Sequence, residues 1–194
     1  MEVSRIDPKR RRLLMTTAGM GGAGLVAVAV PFVESMAPSE RAKAAGAPAE
    51  IDVSDVAPGT MVTIEWRGRP VWVVHRTPQM LEQLGRHDSI LADPQSVEPL
   101  QPEYARNPHR SLKPPIFVAV GICTHLGCIP VFRPGAGEME PGWPGGFYCP
   151  CHGSKFDLAG RVFKNVPAPR NLEIPPHSYV TDTRLLIGVD TKPY

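Results

Sequence analysis

Apolar and polar positions divide this 194-residue chain into an apolar N-terminal run, a short polar segment and a long body of mixed texture. The run from residue 13 to residue 33 contains no charged side chain over 21 positions. A helix of that length rises about 31 Å, close to the ~30 Å hydrocarbon core of a bilayer. The pattern therefore predicts a transmembrane anchor over residues 13–36, followed by a flexible or partly helical tether over residues 37–50.

The body begins at Ile51 and consists of short runs rich in β-branched and aromatic residues. Residues 61–66 and 71–76 predict two strands joined by a hairpin turn. A threonine followed by proline predicts a short helix that ends with residue 84, before a glycine. Residues 116–121 predict a buried strand.

Further short strands are predicted at "RVF", "NLEI", "SYVTD" and "RLLIGV". The 23 prolines favour loops and short strands over long helices. The pattern indicates an all-β fold for residues 51–194, and it assigns no structure to residues 86–115.

Charge is unevenly distributed along the chain. The first 12 residues sum to +3, which leaves −1 for the other 182 residues of a chain whose net charge is +2. The positive-inside rule then predicts that residues 1–12 form a cytoplasmic basic segment and that the body lies across the membrane. A near-neutral body gives no reason to expect nucleic acid as a partner.

The basic segment resembles a twin-arginine export signal, because three consecutive arginines precede two leucines over residues 10–14. That route exports proteins that have already folded, often with a cofactor. Since no clean small-x-small cleavage site ends the apolar run, an uncleaved anchor is favoured. The alternative is a cleaved signal peptide and a soluble periplasmic protein.

Two boxes, "CTHLGC" from Cys123 to Cys128 and "CPCHGS" from Cys149 to Ser154, hold all four cysteines and two of the six histidines. A pure disulfide framework leaves the histidines unexplained. A structural zinc site needs four ligands and leaves two cysteines over, and a catalytic cysteine–histidine pair explains only one pair. An iron–sulfur cluster with two thiolates and two imidazoles, plus one disulfide, uses all six groups.

With these boxes, the chain resembles the Rieske iron–sulfur subunits of bacterial ubiquinol–cytochrome c reductase, the cytochrome bc complex. The resemblance extends to "EWRGRPVWVVHRTP" and "DLAGRVFKNVPAPRNLEIP". It implies one [2Fe–2S] cluster and a Rieske-type antiparallel β head, periplasmic over residues 51–194. It also implies a smaller cluster-binding subdomain at about residues 120–169 and one N-terminal transmembrane helix.

The resemblance also divides the six groups of the boxes between two tasks. Cys128 and Cys151 are implied to form a disulfide, which suits an oxidising periplasm. The four implied metal ligands are Cys123, His125, Cys149 and His152. Because two imidazoles replace two thiolates, such a cluster is less negative and its reduction potential is higher.

The residues around the boxes follow from the same resemblance. Ser154 matches a serine that hydrogen-bonds a cluster sulfur, and Leu126 is expected at the tip, as a docking contact or as simple loop packing. Phe156 stands where many relatives have a tyrosine that bonds a ligand sulfur. Residues 166–169, "VPAP", replace the frequent Gly-Pro-Ala-Pro, so this covering loop is expected to pack differently.

The implied role is one-electron transfer within a dimeric complex in the bacterial inner membrane. Quinol bound at the cytochrome b subunit is the donor, a membrane-bound cytochrome c subunit is the acceptor, and the lipid bilayer surrounds the anchor. His152 is expected to hydrogen-bond the quinol, with His125 beside it, so that proton and electron uptake are coupled. The alternative is a soluble Rieske ferredoxin or the Rieske domain of a ring oxygenase.

The remaining histidines and the tryptophans are scattered through the body, where they are expected to be surface or core residues without a direct role at the cluster. They are His75, His87, His109 and His177, with Trp66, Trp72 and Trp143.

Overall fold

A computed structural model describes residues 7–190 of the chain. Residues 1–6 of the predicted cytoplasmic segment, and residues 191–194 of the body, lie outside this range. The chain divides into two compact units, Met1–Ala44 and Ala45–Tyr194.

The first unit contains helix α1, Pro8–Ser35, and most of helix α2, Glu40–Ala45. The side chain of Asp7 caps α1 by accepting a hydrogen bond from the Lys9 N–H at 2.9 Å, and a proline at the first position suits that start. With 28 residues, and no charged side chain from residue 13 to residue 33, α1 is long and apolar enough to cross a membrane. Helix α2 lies within residues 37–50, so the predicted tether is partly helical.

The second unit has three antiparallel sheets, each of three strands. The base sheet has the order β2-β3-β4, with β2 Met61–Trp66, β3 Arg69–His75 and β4 Ile116–Val120. A two-residue turn joins β2 to β3, and both of its residues have positive φ, 52° at Arg67 and 70° at Gly68. That geometry matches the twist of a hairpin, so the predicted turn is confirmed.

The second sheet, here called the cluster sheet, has the order β5-β6-β7, with β5 Val131–Arg133, β6 Gly146–Tyr148 and β7 Lys155–Phe156. The third sheet has the order β1-β9-β8, with β1 Ala49–Asp52, β8 His177–Tyr179 and β9 Arg184–Ile187. Because Ala49 pairs with Ile187 in this sheet, the strand begins two residues inside the segment predicted as tether.

Two predicted strands are absent from the described chain. In "RVF", Val162 and Phe163 make only isolated bridges, to Phe156 and Leu91. In "NLEI", the Leu172 N–H donates to the Gly160 carbonyl and the Ile174 N–H donates to the Leu100 carbonyl. The partners of "NLEI" lie in loops rather than in a neighbouring strand, so no ladder forms there. The predicted helix is confirmed as α3, Pro78–Leu84, capped by the Thr77 hydroxyl.

The segment 86–115 contains two short 3₁₀ turns, Asp88–Ile90 and Glu103–Ala105. Buried guanidinium groups tie it to the rest of the unit. Arg110 donates to the carbonyls of Ala159 and Leu172 at 3.0 and 2.7 Å. Arg76 is also buried, and burial lowers its pKa to about 9, so it stays charged at neutral pH. The main-chain carbonyls satisfy these cations in place of water.

Candidate metal centre

The first cysteine loop, residues 123–128, begins three residues after the end of β4 and is closed by two main-chain hydrogen bonds. The Cys123 N–H donates to the Cys128 carbonyl at 2.7 Å, and the Gly127 N–H donates to the Cys123 carbonyl at 3.1 Å. Gly127 has a φ of 83°, which glycine adopts at no steric cost. These bonds fix the backbone that carries Cys123 and His125.

The second cysteine loop, residues 149–154, follows β6 and is closed in the same way. The Cys149 N–H donates to the Ser154 carbonyl at 2.8 Å, and the Gly153 N–H donates to the Cys149 carbonyl at 2.9 Å. Gly153 has a φ of 76°. The two loops therefore share one backbone pattern, in which the first residue bonds the fifth and sixth. Sequence comparison of the boxes hides this likeness, since the histidine is third in one and fourth in the other.

A disulfide between Cys128 and Cys151 joins the two loops, with an S–S length of 2.04 Å and Cα atoms 6.6 Å apart. The predicted pairing is confirmed. Cys123 and Cys149 remain free, and both are buried. The disulfide thus takes one cysteine from each box and leaves one thiol in each.

The two free thiols lie against each other in the interior. Burial raises the pKa of Cys123, and its contact with the Cys149 thiol raises it further. In the opposite direction, hydrogen bonds from the His125 main chain and the Ser154 hydroxyl to the Cys123 sulfur lower its pKa. Such donors stabilise a thiolate, which is the form that binds metal.

The two histidines of the boxes form a second pair closer to solvent. The rings of His125 and His152 lie edge to face, with centroids 4.8 Å apart and an interplanar angle of 87°. His125 is half-buried and His152 is exposed. The donor set therefore consists of two buried thiols and two outer imidazoles, the ligand types of a [2Fe–2S] cluster with one sulfur-bound and one nitrogen-bound iron. These four residues could hold such a cluster.

A different group of sulfurs also lies close together. Those of Cys128, Cys149 and Cys151 are all within 4.8 Å of one another. Because two of the three are already bonded to each other, this group has only one free thiol and cannot form a metal site on its own.

A third segment is hydrogen-bonded to both loops. The Ser154 hydroxyl accepts the N–H of Ala168 at 3.0 Å, within the predicted covering loop. The Thr124 hydroxyl donates to the carbonyl of Arg170 at 2.6 Å. Sequence reasoning identified Ser154 but missed Thr124, although a threonine between two ligand-type residues is a usable signal for a loop-locking hydroxyl.

The tip of the two loops exposes apolar side chains. Leu126 is 72% exposed and Ile129 is 59% exposed. Neither side chain is covered by the rest of this unit, so Leu126 is not buried by packing within its own loop. Ile129 was not recognised in the sequence, where it follows the box and resembles an ordinary core position. In contrast to these two residues, Phe156 is fully buried.

Two of the four histidines outside the boxes bond main-chain carbonyls. His75 bonds the Val56 carbonyl through Nδ1 at 2.7 Å, and His177 bonds the Pro175 carbonyl through Nδ1 at 2.8 Å. Burial lowers the pKa of His177 and favours its neutral form. These contacts agree with their expected place outside the metal centre.

Two family models match the chain. The Rieske [2Fe-2S] domain matches residues 48–176. The model described as "Ubiquitinol-cytochrome C reductase Fe-S subunit TAT signal" matches residues 1–39. Together they span both units of the chain.

Characterised relatives are similar over nearly the whole length. The chain is 55% identical to the ubiquinol-cytochrome c reductase iron-sulfur subunit of Allochromatium vinosum, over 98% of this chain and 93% of that protein. It is 42% identical to the protein of the same name from Blastochloris viridis, over 93% of this chain and 92% of that one. A chain in the structure titled "Hyperthermophilic respiratory Complex III" matches with a TM-score of 0.51 and 27% identity, over 88% of this chain and 97% of that one.

The fold, the paired cysteine loops and the domain match define a Rieske-type iron–sulfur protein with a [2Fe–2S] cluster as its cofactor. The apolar helix α1 and the export-signal match fit a single-pass, membrane-anchored protein with an exported head. The chain belongs to the family of ubiquinol–cytochrome c reductase iron–sulfur subunits.

Proposed function

We propose that this chain carries single electrons from a quinol, bound at a cytochrome b subunit, to the haem of a membrane-bound cytochrome c subunit. The observation that carries the proposal is the pairing of two buried free thiols with two outer imidazoles on disulfide-linked loops. The relatives from Allochromatium vinosum and Blastochloris viridis are named as subunits of ubiquinol–cytochrome c reductase, which supports the same role here.

The proposed ligands are Cys123 and Cys149 for one iron and His125 and His152 for the other. When bound, the cluster supplies a one-electron acceptor at the protein surface. The buried thiols lie in the same apolar core as Trp72 and Phe147, which excludes water from the sulfur side. The exposed ring of His152 is the part of the site that a substrate can reach.

His152 is proposed to hydrogen-bond the quinol hydroxyl through the ring nitrogen that does not bind metal. That nitrogen accepts the proton which quinol releases with its electron, so electron and proton uptake are coupled and contribute to proton translocation. His125 packs edge to face against His152 and fixes its ring plane. The apolar side chain of Leu126 lies beside the pair as a contact with the quinol pocket of the partner subunit.

The proposal includes the membrane topology of the chain. Helix α1 crosses the bacterial inner membrane as an uncleaved anchor, with the head in the periplasm and the complex dimeric. The segment 37–48 acts as the tether that lets the head move between the two partner subunits. A soluble ferredoxin or a ring-oxygenase domain is disfavoured, because α1 and the Cys128–Cys151 disulfide have no role in either.

The proton coupling predicts a reduction potential that falls as pH rises. The slope should approach about 59 mV per pH unit for each proton taken up with one electron. The measurement is protein-film voltammetry of the purified, cluster-loaded chain over a range of about pH 6 to pH 10. A potential that is independent of pH in a protein retaining both imidazoles contradicts the proposed role of His152.

Phe156→Tyr is expected to raise the reduction potential. Phe156 is fully buried and shares the core with Cys123 and Cys149, so a hydroxyl added to its ring lies in the interior that also holds the two sulfurs. A hydrogen bond of about 0.5–1.5 kcal/mol to the reduced site corresponds to roughly 20–65 mV for one electron. Voltammetry checks the shift. Phe163→Tyr, at a ring that stacks on Trp143, is the matched control and should leave the potential unchanged.

A further inference from the structure

Trp72 lies between the base sheet and the cluster sheet. It belongs to β3 and is 1% exposed. Its ring stacks on that of Phe147 in β6, with centroids 4.8 Å apart and an interplanar angle of 10°. Phe147 stands two residues before Cys149. One face of the indole therefore supports the strand that leads into the second cysteine loop.

The indole also contacts the chain that leads into the first cysteine loop. Gly121 stands two residues before Cys123, and its N–H donates to the Pro70 carbonyl of β3 at 2.8 Å. A Cβ atom at Gly121 would lie 2.3 Å from Cε2 and 2.5 Å from Nε1 of Trp72. The φ of Gly121 lies outside the left-handed region. Glycine is therefore required there by the close approach of the indole and not by the backbone conformation.

We propose that Trp72 is a positioning residue that sets the separation between the Cys123 and Cys149 sulfurs. Its indole contacts the residue that stands two positions before each free cysteine, Gly121 before Cys123 and Phe147 before Cys149. An indole is rigid and close-packed here, so the distance between the two strands cannot relax without opening a cavity. This inference rests on the proposed function, because it gives Trp72 its role through the two thiol ligands.

The test uses the full-length, cluster-loaded chain purified in detergent, with three variants: Trp72→Phe, Gly121→Ala and the two combined. Gly121→Ala drives a methyl group into the indole and is expected to lower the iron bound per chain by about twofold or more. Trp72→Phe keeps a ring for Phe147 but lacks the atoms that meet Gly121. The combined variant should therefore recover most of the lost iron.

A spectroscopic readout separates positioning from general stability. Trp72→Phe is expected to shift or broaden the low-temperature electron spin resonance spectrum of the reduced protein. The matched control is Trp143→Phe, which alters an equally buried tryptophan that also stacks on a phenylalanine, Phe163. That control is expected to lower the melting temperature and leave the spectrum unchanged.

Two results would overturn the inference: a Trp72→Phe spectrum identical to that of the unaltered protein, or a combined variant that binds no more iron than Gly121→Ala. A Cys149→Ser variant measured in parallel keeps the two proposals apart. If it loses iron while the Trp72 variants behave as the unaltered protein does, only the positioning role fails. If it retains iron and spectrum, the ligand assignment fails.

Discussion

Cys149→Ser is expected to abolish the cluster, whereas Cys151→Ser is expected to keep it in a less stable protein. Cys149 is a free, buried thiol in contact with the Cys123 sulfur. A serine hydroxyl there is a harder and far less acidic donor, so it does not replace a thiolate on iron. Cys151 is bonded to Cys128 and has no thiol to offer. Iron and acid-labile sulfide content, with low-temperature electron spin resonance, measures the difference.

The two substitutions are matched, because they make the same chemical change two residues apart in "CPCH". Iron loss in Cys151→Ser together with retention in Cys149→Ser would reverse the assignment within that box. Loss of iron in both, at equal thermal stability, would also contradict it. Cys123→Ser should repeat the result of Cys149→Ser, since both thiols are proposed on the same iron.

The local signals for β2, β3 and α3 were strong enough to predict them from sequence. Two runs rich in β-branched and aromatic residues on either side of a turn define the hairpin, and Thr77 before a proline defines the start of α3. The signals for these elements lie in neighbouring residues of the sequence. The buried strand β4 was also predictable, because it is apolar at all five positions.

The chemistry of the centre was predictable for a different reason. Cysteine and histidine are scarce, so two boxes that contain all four cysteines are informative by composition alone. Spacing did not determine which cysteines form the disulfide; the prediction came from a family resemblance, and the structure confirms the pair. The shared hydrogen-bond pattern of the two loops became visible only in three dimensions.

The segment 86–115 could not be assigned because its structure depends on distant partners. Its buried Arg110 resembles an ordinary surface cation in the sequence, yet it bonds carbonyls about 50 and 60 residues away along the chain. The same cause explains the missing strand at "NLEI", whose residues bond to loops. At "RVF", Val162 and Phe163 make only isolated bridges, to Phe156 and Leu91. Hydrophobic alternation cannot reveal where a partner lies.

Removing the disulfide with Cys128→Ala and Cys151→Ala together is expected to lower the free energy of unfolding by about 3 kcal/mol. The bond closes a loop across a sequence separation of 23 residues, and a chain-entropy treatment of a loop of that size gives roughly this figure. Chemical denaturation of the full-length chain in detergent measures the loss. The paired alanines avoid a leftover thiol that could bind metal or form new disulfides.

The cluster should be affected more than the fold by this change. The three sheets retain their own hydrogen bonds, and each cysteine loop keeps its two closing main-chain bonds. What disappears is the covalent link that holds the exposed end of one loop against the other, beside the His125–His152 pair. Iron should therefore dissociate at denaturant concentrations below those that unfold the sheets, so that the visible absorbance falls before the far-ultraviolet circular dichroism. Coincident transitions in the double alanine variant would show that the disulfide supports the whole head equally rather than the metal centre in particular.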